Sequence, residues 1–289
     1  MQGGLGRLVE VYVTRRLRAG EIVASTARRQ RYTLRAFVSQ VGDRPPTELR
    51  RRHIERWQAD QVKRIGSERT RRTNWSTVRT FCAWMAGKGI VDRDPMAGMK
   101  PPKERRTTPR PLSDEAVAAL VASAPDARAR AVLCLSIWEG LRAMEIAGAR
   151  LEHWDRRDGF LRVRGKGGHG REIPVSIRTA SALASYLAEI GNPASGPMIR
   201  STRDLSAGVK PQTISTYWSR WARACGVKVG PRDGVSCHAG RHTAATRVVD
   251  VTGDVRCAQE LLGHANVSTT MIYTRRAGST KLRAAMDAA

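Results

Sequence analysis

The sequence predicts a mainly α-helical chain of two domains, the first helical throughout and the second mostly helical around a small antiparallel sheet. Three observations predict this. Apolar residues recur at helical spacing through the first hundred positions and again over most of the stretch after Ser113. A basic, proline-rich stretch with few apolar residues, Asp94 to Pro111, lies between the two. A glycine-rich run, Gly165-Lys166-Gly167-Gly168-His169-Gly170, joins two short segments in the manner of a hairpin. A length of 289 residues suits two domains, and a hydrophobic content of 41% suffices to fill their cores. The expected boundaries are 1–96 for the first domain, 97–112 for a linker and 113–289 for the second, with a tail at 278–289.

In the first domain, Leu5, Leu8, Val9, Tyr12 and Val13 share one face of a helix running to Leu17. Ser25 or Thr26 is a fitting cap for a second helix that ends near Val41, before Gly42-Asp43. After the Pro45-Pro46 turn, Leu49, Ile54 and Trp57 mark a third. Ser67 opens a fourth, whose stripe is Trp75, Val78, Phe81, Cys82 and Met85, with Arg69, Arg71, Arg72 and Arg79 on its other face. In the second domain Ser113 is an N-cap, with Asp114 and Glu115 in the first turn where the helix dipole favours them. Helices are expected over 113–123 and 126–138, strands over Phe160–Arg164 and Arg171–Val175. Further helices are expected over 178–190, 211–225, 238–250 and 254–262, with a short one near 267–273. Tyr12, Tyr32, Tyr186 and Tyr217 read as packing residues.

The charge constrains the partner. The chain carries 51 Lys and Arg against 26 Asp and Glu, a formal net charge of +25. The excess is shared by both halves, which implies a polyanion touching both domains, and nucleic acid is the commonest one. Most of the basic residues are Arg, which grips phosphate through two parallel hydrogen bonds. Arg69, Arg71, Arg72 and Arg79 are the candidate phosphate contacts of the first domain. The apolar runs are too short for a membrane helix, and MQGGLGRLVE lacks the apolar core of a secretory leader. Five cysteines with no C-x-x-C pair argue against a disulfide framework or a zinc ribbon. A cytoplasmic, nucleoid-associated protein with no membrane partner is the expectation.

Several chemistries drop out on motif grounds. The sequence has no P-loop signature, no H-E-x-x-H, no Cys/His cluster at metal spacing and no G-x-S-x-G elbow. A different set appears in chain order. It comprises Gly140-Leu141-Arg142-Ala143-Met144-Glu145, then Lys166 in the hairpin, then Cys237-His238-Ala239-Gly240-Arg241-His242-Thr243, then Leu261-Leu262-Gly263-His264, and Tyr273 nine residues on. Each piece alone is weak, since His53 with Arg56 and His153 with Arg156 also form H-x-x-R pairs. The weight lies in their order, spacing and flanks together.

With GLRAMEI, VRGKGGHGREIPV, SCHAGRHTAAT and LLGHANVSTTMIYTR, the chain resembles the tyrosine recombinases of the phage-integrase and Xer type over essentially its whole length. The resemblance implies a helical core-binding domain, a linker and a mixed α/β catalytic domain. It implies a site-specific recombinase that cleaves and rejoins DNA through a 3′-phosphotyrosine, with no metal or other cofactor and no ATP. Arg142, Lys166, His238, Arg241 and His264 would surround the scissile phosphate and Tyr273 would attack it. Glu145 would orient Arg142, and His242 would be structural. His169 is left as a solvated turn residue. Gly240 departs from the apolar residue usual before the second Arg, for which a packing consequence is expected.

These residue types suit the reaction. Attack on a phosphodiester builds negative charge on the nonbridging oxygens, and two guanidinium groups clamp such charge. A tyrosine hydroxyl with a pKa of about 10 needs a base and nearby cations to act near neutrality. The implied partners are double-stranded core-type sites and a homotetramer on synapsed DNA, with an accessory bending or directionality factor. The tail after Tyr273 would dock on a neighbouring protomer. Helices that begin almost at Met1 imply the short form without an N-terminal arm-binding domain, similar to Xer-like, Cre-like or arm-domain-free integrases, from a phage or mobile element or a bacterial chromosome. Two other readings stay open: a type IB topoisomerase and a non-catalytic DNA-binding protein on the same scaffold.

Overall fold

The computed structural model describes residues 4–103, 111–165, 170–230 and 233–263, and it divides into two compact units, Met1–Thr107 and Thr108–Ala289. The first unit contains α1 (Leu5–Arg18), α2 (Ala24–Val41), α3 (Arg51–Arg64) and α4 (Glu68–Gly87). Their apolar stripes meet in one core built around Val9, Tyr12, Leu34, Phe37, Ile54 and Phe81. Tyr12 meets the edge of Phe81 at 5.3 Å, and Phe37 meets Trp57 edge-on at 5.3 Å. Met96 is fully buried in this core and Met99 packs against it, so the first unit's packing extends into the stretch read as linker.

Ser67 caps α4 as the sequence suggests, accepting from the Thr70 amide. Two expectations for α2 fail. Its N-cap is Val23, which makes no side-chain bond, so neither Ser25 nor Thr26 caps it. The buried face already starts at Ala27, which requires the helix to begin a turn earlier. Tyr32 is not a packing residue. The face formed by Ala27, Gln30, Leu34, Phe37 and Val38 turns inward and leaves Tyr32 on the opposite side, 78% exposed, near Arg28, Arg29 and Arg35.

The second unit contains α5 (Asp114–Ala122), α6 (Ala127–Ile137), α7 (Ala143–Gly148), β1 (Trp154–Asp155), β2 (Phe160–Arg164), β3 (Gly170–Pro174), α8 (Ile177–Glu189), α9 (Pro211–Ala224), α10 (Cys237–Thr252) and α11 (Val255–Leu262). The sheet is antiparallel in the order β1-β2-β3, with Leu161 opposite Ile173 and Val163 opposite Arg171. Helix α6 is the centre of the unit. From Ala131 to Ile137 every residue is buried, with α8 and α10 packed against it. The short α7 and the two-residue β1 have no counterpart in the sequence reading. The expected helix near 267–273 lies outside the described residues.

Gly240 has the packing role expected of it. A Cβ there would lie 2.9 Å from Ser136 Oγ and 3.2 Å from the Ser136 carbonyl, so glycine lets α10 lie directly on α6. Ser136 cannot easily yield, because its hydroxyl donates to the Leu133 carbonyl and accepts from the fully buried Trp218 Nε1 at 2.8 Å. Gly240→Leu, which restores the apolar residue more usual there, is expected to destabilise this unit by about 1–3 kcal/mol. Urea unfolding of the variant checks it, and wild-type stability would show that the helices simply move apart.

A buried carboxylate ties the start of α8 to the segment preceding Gly140. Glu139 accepts from the Ser176 amide at 2.9 Å, the Ser176 hydroxyl at 2.8 Å and the Thr179 hydroxyl at 2.6 Å. Burial nevertheless raises its pKa above the ordinary carboxylate range. Among the described residues, no helix is long and apolar enough to cross a membrane, no cluster of metal-binding side chains occurs, and all five cysteines are free.

Candidate active site

The site is assembled by one buried carboxylate. Helix α6 ends at Ile137, and the chain reverses through Gly140, whose φ of +64° belongs to the left-handed region. A side chain there would also meet Leu262 Cδ2 at 2.8 Å, so both backbone and packing demand glycine. Two residues later Arg142 is the N-cap of α7 and Glu145 its third residue. Glu145 Oε2 accepts from the Arg142 amide at 2.8 Å, and Oε1 accepts from Arg142 Nη1 at 2.8 Å. The sequence assigned Glu145 the task of orienting Arg142, and the structure pairs them.

Two further guanidinium groups converge on the same carboxylate. Arg241, on the first turns of α10, brings Nη1 to 3.5 Å from Glu145 Oε2 and donates to the carbonyls of Gly140 and Leu262. Arg171, on β3, donates Nη1 to Oε1 at 2.9 Å and Nη2 to Oε2 at 3.2 Å. Glu145 is thus 1% exposed and faces three cations. Burial alone would raise its pKa. The Arg171 hydrogen bonds, the Arg142 amide and the charges of Arg171 and Arg241 outweigh burial and hold the carboxyl below its usual range.

The cations differ in access. The Arg142 side chain is 32% exposed and lines an open cleft, whereas Arg241 is 1% exposed behind it. His238, in the first turn of α10, lines the same cleft together with Gln212, Ser215 and Ser236. The His238 and His242 rings meet edge to face, 4.6 Å apart, which places His242 next to a residue that lines the cleft. Cys237, next in the chain to His238, is no rival nucleophile, since burial pushes its thiol up to about 12.

Arg142, Glu145, His238, Arg241 and His242 are therefore gathered into one region from two segments almost a hundred residues apart. Lys166, His169, His264 and Tyr273 lie outside the described residues; the neighbours Gly165, Gly170 and Gly263 are described. In the first unit, Arg69 and Arg72 are exposed and Arg71 and Arg79 half-buried. Arg71 donates to the Ile65 carbonyl at 2.6 Å and Arg72 to the Pro102 carbonyl at 3.2 Å. Arg79 donates to the Met96 carbonyl and lies over the Trp75 ring at 5.9 Å. Three of these four cations thus also serve the structure of their own unit.

The sequence reading missed Arg171. Its signal was present: on the alternating strand Arg171-Glu172-Ile173, an arginine holds an inward register position shared with a fully buried isoleucine. Such a residue needs a buried anion, and Glu145 is that anion.

A family model described as the phage integrase family matches residues 110–279, more than half of the sequence. The chain belongs to the phage integrase family. It is 32% identical to tyrosine recombinase XerC of Pseudomonas syringae pv. syringae, over 84% of this chain and 80% of that protein. It is 29% identical to tyrosine recombinase XerC of Shewanella amazonensis, over 86% of this chain and 84% of that one. Among solved structures it resembles residues 75–356 of lambda integrase, a dimer bound to a COC′ core site, with a TM-score of 0.77 and 18% identity over 92% of this chain and 97% of that one. That likeness speaks for the fold. As a tyrosine recombinase, this member of the phage integrase family is an enzyme of site-specific DNA recombination.

Proposed function

We propose that the cleft beside Arg142 and His238 receives a scissile DNA phosphate and that Tyr273 is the nucleophile. The observation that carries this reading is the convergence of Arg142 and Arg241 on Glu145, because it assembles two remote cations beside a cleft lined by histidine. The Tyr273 hydroxyl oxygen bonds to phosphorus, its proton passing to His238, while the bond to the 5′-oxygen breaks. Lys166 on the hairpin supplies the proton that the departing 5′-oxygen takes up. Arg142 and His264 hold the nonbridging oxygens, and Arg241 backs them from the buried side. The 3′-phosphotyrosine keeps the energy of the broken ester, so the free 5′-hydroxyl of a second strand attacks it and rejoins the DNA.

In this reading the substrate is a double-stranded core-type site, met by the first unit through Arg69, Arg71, Arg72 and Arg79. Four copies synapse two sites, and the tail after Tyr273 links neighbouring copies. The same chemistry serves integration and excision of a mobile element. An accessory DNA-bending or directionality factor is the expected further partner. The basic excess across the chain supports DNA as the partner.

Footprinting first identifies the bound site, and a suicide substrate nicked next to the scissile phosphate then traps the intermediate. Wild type is expected to form a covalent protein–DNA adduct, and Tyr273→Phe none. No adduct from wild type on the footprinted site would overturn the reading. Relaxation of plasmids lacking that site would point to a topoisomerase instead.

A further inference from the structure

Arg171 has a geometry that the assigned machinery does not account for. It stands on β3, which pairs with β2 and follows Lys166 closely in the chain, and its side chain is 14% exposed. Its two terminal nitrogens grip both oxygens of Glu145, at 2.9 and 3.2 Å. Its Nε donates to the carbonyl of Leu261 at 2.9 Å, in the last turn of α11. That carbonyl is one of the four that a helix end leaves without an internal partner. A cation there also sits at the negative end of the helix dipole.

Two further contacts make the link specific. The next carbonyl, that of Leu262, accepts from Arg241, so two consecutive carbonyls at the end of α11 are held by two arginines that share one carboxylate. Gly263 then turns with a φ of +59°, and a Cβ on it would lie 2.8 Å from Arg171 Cδ. The Arg171 side chain therefore fills the space beside the residue that directly precedes His264. These contacts face protein groups on every side of the fork, which suits a residue that acts through others.

We propose that Arg171 is a positioning residue for strand cleavage. It fastens the base of the Lys166 hairpin and the exit of α11, from which the chain runs on to His264 and Tyr273, to the carboxylate that orients Arg142. The cleavage role rests on the function proposed above, while the mechanical link does not. Lysine cannot replace it, because one ammonium cannot span two carboxylate oxygens and a carbonyl on a different segment.

The test compares Arg171→Lys with Ile173→Ala, a cavity variant two residues along the same strand whose apolar side chain bonds neither Glu145 nor the Leu261 carbonyl, both kept well below their melting temperatures. In single-turnover reactions on the nicked suicide substrate, Arg171→Lys is expected to lower the adduct rate by on the order of 10²-fold, with the Kd for DNA within about threefold of wild type. Ile173→Ala is expected to cleave at close to the wild-type rate. Amide hydrogen exchange without DNA provides the second arm: exchange over 255–263 should rise in Arg171→Lys and not in Ile173→Ala. A wild-type rate in Arg171→Lys, or equal losses in both variants, overturns the positioning role. Unchanged exchange over 255–263 overturns the link itself. If wild type forms no adduct, the proposed function fails, and the exchange arm still decides the link.

Discussion

Glu145→Gln is expected to cost the catalytic unit about 3–5 kcal/mol and to abolish detectable adduct formation. Removing one partner of a buried ionic cluster leaves the others without compensation, and here three guanidinium groups share one carboxylate. Glutamine keeps the shape but not the charge, and its amide group turns a donor towards donors. Urea unfolding of wild type and variant measures the loss. The pH dependence identifies its cause. The folded pKa of Glu145 lies below the ordinary value. Its contribution is therefore complete above the unfolded pKa of about 4.3 and is lost as the pH falls through the folded value. The gap between wild type and Glu145→Gln should be full at neutral pH and should narrow in acid. A gap that stays constant into acid would mean that packing, not charge, accounts for the loss.

The same cluster shows what could be read from sequence and what could not. Helices with an uninterrupted apolar stripe were legible because a 3.6-residue period is a local property: α1, α9 and α10 begin and end within two residues of expectation. Ser67 and Ser113 were legible as caps because a cap bonds to its own first turn. Helix α7 was not, because six residues carry too little periodicity to register, although its capping pair, Arg142 and Glu145, had been singled out for chemistry. Val23 in place of Ser25 or Thr26 shows burial overriding cap chemistry. Tyr32 shows that an aromatic residue takes the face left by its neighbours.

Within the site, the pairing of Arg142 with Glu145 was legible, and the sharing of that one carboxylate by remote arginines was not. Arg142 and Glu145 are three residues apart, so their pairing follows from one helical turn. Arg241 and Glu145 are 96 residues apart, and no local rule predicts that they share an oxygen. Arg171 could be suspected of facing inward from its strand, but its partners were hidden for the same reason, since they lie 26 residues before it and 90 after. Glu139 is similar: its buried carboxylate gains meaning only from Ser176 and Thr179 on a later helix. Their own local sequence gives no reason to expect these partners, because only the fold supplies them.

Arg241→Lys and Arg142→Lys separate the two guanidinium groups that the sequence treated as an equivalent clamp. Arg241 donates to the carbonyls of Gly140 and Leu262 and pairs with Glu145 while 1% exposed, so it ties α10 to the Gly140 turn and to the end of α11. An ammonium reaches at most part of that set. Arg241→Lys is expected to lose about 1.5–3 kcal/mol from the charge-assisted hydrogen bonds it breaks, and its single-turnover rate is expected to fall on the order of 10²–10³-fold. Arg142 lines the open cleft, and its described protein bond outside the backbone cap is the single one to Glu145. Arg142→Lys should lose a comparable factor in rate at little cost in stability, because its side chain makes a single protein bond and otherwise lines the cleft proposed to receive the phosphate. Thermal melting and suicide-substrate kinetics on both variants give four numbers, and the contrast lies in the stability pair. Equal stability losses would return the two arginines to equivalent roles, and a wild-type rate in Arg241→Lys would remove it from the reaction altogether.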